Sequence, residues 1–207
     1  MRDKTVRNLT VTAVLSAVAF VLMLLDFSVP IMPSFIKMDI SEFPALLATF
    51  ALGPVYGGAV CLVKNLLHLL VTKTAGVGEL SNFLLGAVFT VTAGLIYKLN
   101  KTKKGAYIGS FIGAVAMALL SLPINYFITY PFYMNFMPLE SIIKAYQAIL
   151  PGVDGLLSCL LIFNLPFTLV KGLLSFLLTV LTYKRLRPIL KKKKKKIGTG
   201  NSIFRNF

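Results

Sequence analysis

Lys171 stands in the middle of an apolar stretch, with Thr168 three residues and Asn164 seven residues before it. On a helix that spacing puts all three hydrogen-bonding groups on one face. A charged side chain in hydrocarbon costs roughly 2.5–3.5 kcal/mol to insert, so a lysine there calls for a partner or a ligand. Similar stripes join Ser121, Asn125 and Thr129, and Glu79, Asn82 and Gly86, where the glycine permits close approach of another helix or a flat ligand. Lys64 and His68, four apart with Asn65 between them, form another polar patch, read here as structural, with Glu79 or Asp39 pairing Lys64. Three of only seven acids, Asp39, Glu42 and Glu79, fall at span ends that share one mouth. With Asn125, Asn164 and Lys171 they suggest a pocket between helices, walled by residues such as Met38, Leu46, Phe83 and Phe167. That mixture suits a planar, partly polar molecule better than an inorganic ion. Interhelical hydrogen bonding is the competing explanation for Ser121, Thr129 and Gly86.

Other chemistries lack their residues. His68 is the only histidine, so a histidine metal cluster is impossible. No phosphate-binding G-x-x-x-x-G-K-[ST], H-E-x-x-H or G-x-S-x-G motif occurs, so neither nucleotide hydrolysis nor a hydrolase of those types is expected. The chain is read as no enzyme, with no cofactor and no metal. Cys61 and Cys159 lie in apolar runs and read as small core residues.

The elements that position these groups must be membrane helices. Of 207 residues 57% are hydrophobic and 14% charged, and the mean hydropathy is +0.80. That leaves too little polar material to cover a water-soluble globule. The expected fold is all-α, a polytopic bundle of six transmembrane helices over residues 1–187. Its spans run Leu9–Leu25, Phe43–Leu52, Val55–Val71, Glu79–Tyr97, one from Gly105 and one from Asp154 to Tyr183. The second covers only about half of a bilayer and must tilt or be shielded.

The net charge of +15 is concentrated near the N-terminus, in Lys98–Lys104 and from Lys184 onward. Alternate threading with a cytoplasmic N-terminus puts 17 basic residues inside and three outside, Lys37, Lys73 and Lys144. The positive-inside bias thus favours both termini in the cytoplasm of a multi-pass plasma-membrane protein. Residues 188–207, with six consecutive lysines, read as a disordered tail near anionic lipid, and nucleic acid is not expected as a partner. The halves show no internal repeat, which weighs against an inverted-repeat transporter.

Several segments together resemble the substrate-capturing S components of energy-coupling-factor (ECF) vitamin transporters, specifically the riboflavin branch. They are Ala13-Val14-Leu15-Ser16-Ala17, Lys37 to Pro44, Phe50 to Pro54, Lys64 to His68, Gly76 to Phe83 and Pro166 to Gly172. G-x-G-E-L-x-N-F and P-F-x-L-x-K-G are the specific ones in combination. The resemblance covers about Leu9 to Arg187. It implies a six-helix bundle that takes one riboflavin from outside beneath the loop Phe27–Glu42. It also implies a membrane coupling protein, docked through Ala13 and Ala17, and two cytosolic ATPases. By the same analogy Asn125, Thr168 and Lys171 bond the ribityl chain or ring edge, while Met38, Asp39 and Glu42 in the first loop cover the ring. Thr168 stands where some relatives carry Asn, so Asn164 takes over that contact or selectivity shifts. Another vitamin, such as thiamine or biotin, and a stand-alone proton-coupled carrier using Glu79 or Lys171 are the alternatives.

Overall fold

The computed structural model describes residues 2–190. Helix α1, Arg2–Leu24, leads into a small antiparallel hairpin, β1 Phe27–Ser28 with β2 Lys37–Met38, in which Phe27 pairs with Met38. Helices α2, Glu42–Leu52, and α3, Pro54–His68, meet at a tight turn. Gly53 there has φ +125°, which only glycine adopts freely, and Pro54 occupies the first turn of α3, where its missing N–H costs nothing. Helix α4, Val77–Leu99, is followed by α5, Lys103–Ile124, with Thr102 accepting a hydrogen bond from the Gly105 amide as cap. After α5 come α6, Tyr130–Tyr133, and α7, Leu139–Gln147, then α8, Gly155–Cys159, and α9, Leu165–Leu190.

Among the described residues five helical stretches are long and apolar enough to cross a membrane, and Glu42–Leu52 is a shorter apolar helix. This matches the expected six-helix bundle. The short second helix is shielded: it packs against α1, α3, α4 and α9, and Glu42 and all of Pro44–Phe50 are buried. The expected disordered tail falls on residues outside the described ones from position 191, and α9 carries the chain past the expected boundary at 187 to Leu190.

Two helices change pitch near their ends. Five-residue π-helical turns occupy Asn125–Thr129, between α5 and α6, and Leu160–Asn164, between α8 and α9. Each ends two residues before a proline, Pro131 or Pro166. Proline donates no backbone hydrogen bond and its ring collides with the carbonyl four residues back. Those carbonyls belong to Phe127 and Ile162, the middle residues of the two wide turns, and widening the helix there relieves the collision. Both π turns thus sit where such a proline follows, although Pro123 is accommodated inside α5 without one. Helix α7 is amphipathic, burying Ile142 and Tyr146 and exposing Glu140 and Lys144. Its buried face joins Met32, Tyr130, Val153, Cys159, Leu160 and Phe163 in one core cluster at the hairpin end.

Candidate functional site

The hairpin end of the bundle encloses a cavity of about 540 Å³, within the size range of small-molecule sites. The segment Ser34–Lys37 and Asp39 form its cover, and α3, α4, α6, α9 and both π turns supply its walls. Seven expected ligand-binding residues line it: Asp39, Glu79, Asn82, Asn125, Asn164, Thr168 and Lys171. Met38 and Glu42 do not. Met38 is buried in β2, and Glu42 is fully buried beneath α3 and α4. Of the expected apolar walls only Phe167 lines the cavity, because Leu46 and Phe83 are spent on helix packing. Met23, Leu85, Met117, Phe35, Tyr130 and Tyr133 take their place.

A chain of buried charges runs beneath the cover. The Lys171 ammonium donates to Asp39 Oδ2 at 2.7 Å and to Asn82 Oδ1 at 3.1 Å. Asp39 Oδ1 accepts from the Ser41 amide at 2.9 Å and from its hydroxyl. That hydroxyl accepts from Lys64 Nζ at 2.5 Å, and Lys64 also donates to Glu42 Oε1 at 2.6 Å. Two cations thus face two anions, which is how buried charge is tolerated. Burial opposes ionisation of Asp39, but Lys171, Lys64 and the donated hydrogen bonds outweigh it and hold the carboxyl far below its usual range.

The structure corrects the expected partner of Lys64. Glu42, the first residue of α2, reaches Lys64, because Gly86 leaves no side chain above it: a Cβ there would lie 2.5 Å from Glu42 Oε2. Gly86 admits a carboxylate of a neighbouring helix rather than a flat ligand. Glu79 is taken by His68 Nδ1 at 2.8 Å and by the Thr74 hydroxyl at 2.9 Å.

The π turns shape the opposite wall. They turn Asn125, Thr129 and Asn164 to the cavity, whereas Ser121 of the same expected stripe is sealed and donates to the Ala118 carbonyl. Asn164 belongs to a closed ring of hydrogen bonds. Tyr146 donates to Asn164 Oδ1 at 2.6 Å, Asn164 Nδ2 donates to Tyr130 at 3.1 Å, and Tyr130 completes the ring by donating to Tyr146. Burial pushes the Tyr146 phenol far above its usual range, so it stays a donor. The Thr168 hydroxyl donates to the Asn164 carbonyl at 2.8 Å and retains its lone pairs. Sequence reasoning passed over Phe35, Tyr130, Tyr133 and Met117.

The cavity thus mixes hydrogen-bond donors and acceptors with aromatic and methionine surface. Each buried ammonium uses two of its three N–H bonds on protein. Lys171 alone lines the cavity, so its remaining donor is open to whatever fills it. Among the described residues no three His, Cys, Asp or Glu side chains gather to hold a metal. Ala13 and Ala17 lie elsewhere, exposed together on the outer face of α1.

Residues 7–183 match the family model described as ECF transporter, substrate-specific component. The chain is 37% identical over 186 residues to the riboflavin transporter RibU of Staphylococcus aureus (strain TCH60), covering 90% of this chain and 93% of that one. It is 32% identical over 188 residues to the riboflavin transporter FmnP of Bacillus subtilis (strain 168), covering 88% and 93%. A solved S component of a bacterial ECF transporter superposes with a TM-score of 0.70 at 34% identity, over 93% of this chain and 100% of that one.

Proposed function

The chain belongs to the substrate-specific components of ECF transporters, and from that premise we propose that it captures riboflavin in the cavity beneath the hairpin for uptake into the cell. The observation that carries this reading is the cavity itself: polar side chains and aromatic rings line it together, as a flat ring with a hydroxylated tail requires. Relatives over nearly the whole chain are named riboflavin transporters.

In this reading the Lys171 ammonium and the Asn125, Asn164 and Thr168 side chains bond the polar edge and tail, while Phe167, Tyr130 and Tyr133 face the ring. Asp39 and Asn82 hold Lys171 in place, and Glu79 closes the mouth through His68 and Thr74. Met38 and Glu42 contribute from behind, Met38 within the hairpin and Glu42 through Lys64 and Ser41. The cavity end faces the outside and both termini face the cytoplasm, in agreement with the exposed lysines 98, 101, 103 and 104 at the far end of α4, a helix of roughly 35 Å. Ala13 and Ala17 offer the flat patch against which a membrane coupling protein packs. ATP hydrolysis belongs to partner subunits, so the chain alone binds without pumping.

Titration of the purified, ligand-stripped protein with riboflavin tests the proposal. Flavin fluorescence should quench to a one-to-one endpoint. A flat titration, with thiamine or biotin binding instead, would overturn the choice of vitamin.

A further inference from the structure

A second, smaller cavity of about 210 Å³ adjoins the first. Phe35, Lys73, Thr74 and Tyr133 line both and so form the partition between them. Phe136, Met137, Ile142 and Ala75 complete the outer chamber. Its outer lip is open, since Phe136 is 69% and Met137 40% exposed. Within that partition Phe35, a residue of the cover, stands edge-on to Tyr133, with ring centres 6.4 Å apart, and to Tyr146 at 6.2 Å.

The lining defines the occupant. Three aromatic rings and a thioether favour a flat ring system. Lys73 supplies a lone cation, and no carboxylate is present to favour a metal ion. The volume falls below the roughly 300–1,000 Å³ of closed ligand sites, so it suits a ring with its tail left in water.

Resting on the reading of the inner cavity as a riboflavin site, we propose that the outer chamber is an encounter site. The tricyclic ring of riboflavin lodges there first, against Phe136 and Met137, before passing beneath Phe35 into the inner cavity. It leaves the chamber on arrival, so the chamber governs the approach and not the final affinity.

The full chain in lipid nanodiscs, mixed rapidly with riboflavin and followed by flavin fluorescence, tests this. For the parent, the observed rate should saturate as riboflavin rises. In Phe136→Ala the half-saturating concentration should increase roughly three- to tenfold, while the equilibrium Kd changes by less than about twofold. Met137→Ala should shift it in the same direction by less. Both side chains are exposed enough that their loss leaves the core intact. A rate linear in riboflavin to the highest concentration, as expected of a chamber filled by lipid, would overturn the proposal. So would an unchanged half-saturation in both variants, or a Kd that weakens as much as the half-saturation does. Absence of riboflavin binding to the parent at equilibrium would instead sink the inner site, and the encounter site with it.

Discussion

Lys64 and Lys171 are both buried lysines in apolar helices, both paired with a carboxylate from the stretch Asp39–Glu42 that leads into α2, and both linked through Ser41 and Asp39. Their surroundings differ. The Lys64–Glu42 pair is 0% exposed at both side chains and does not line the large cavity, whereas Lys171 and Asp39 keep 9% and 7% and line it. Two chemically equal ion pairs therefore do different work. The sealed pair clamps α2 to α3, and the open pair holds a charged donor at the cavity while keeping it neutralised from behind. Pairing does not disqualify a membrane lysine from binding, because one carboxylate does not exhaust an ammonium.

The largest effect should come from breaking the sealed pair. Lys64→Ala strands Glu42 without water or a counter-ion, and a loss of about 3–5 kcal/mol is expected, read as a fall in thermal midpoint of the purified protein. A loss no greater than that of Lys171→Ala would erase the distinction between the two pairs. Next comes the open pair, removed without stranding a charge: Lys171→Met with Asp39→Asn should retain most of the stability but weaken riboflavin binding roughly 10- to 100-fold, the worth of a hydrogen bond from a charged donor. Equal affinity in that variant and the parent would move Lys171 out of the binding site.

A smaller effect is expected behind the opposite wall. Tyr146 has no contact with the cavity, yet it fixes the Asn164 amide, so Tyr146→Phe should cost about tenfold in affinity. In an Asn164→Ala background the same change should cost almost nothing. Additive losses would show that Tyr146 acts on packing alone. The smallest effect on binding is expected on the outer face of α1: Ala13→Leu should leave the riboflavin Kd unchanged while reducing co-purification with the coupling protein. A weakened Kd would place that face in the binding unit.

The bundle was legible because long uncharged stretches admit few other folds, and the polar stripes of α4 and α9 were legible because helical periodicity puts Glu79 beside Asn82 and Thr168 beside Lys171. Periodicity names a face but does not say what that face meets. Glu42 sits close in sequence to Asp39 and reads as a mouth residue, yet the first turn of α2 directs it inward onto Lys64, over a gap that Gly86 leaves forty-odd residues later. Regular 3.6-residue counting also fails where the helix widens. Ser121, Asn125 and Thr129 count as one stripe, but the π turn separates Ser121 from the other two. Helix α7 was passed over although Leu139, Ile142, Ile143 and Tyr146 carry its amphipathic spacing, and with it went the buttress of Asn164.

The most direct test is the structure of the protein with riboflavin bound. The account predicts the flavin between the hairpin cover and α9, with a polar atom of its ring edge or tail within about 3.2 Å of Lys171 Nζ, and the Lys171–Asp39 pair intact. Riboflavin bound elsewhere, or seated in the cavity with Lys171 directed wholly to Asp39 and Asn82, would contradict it.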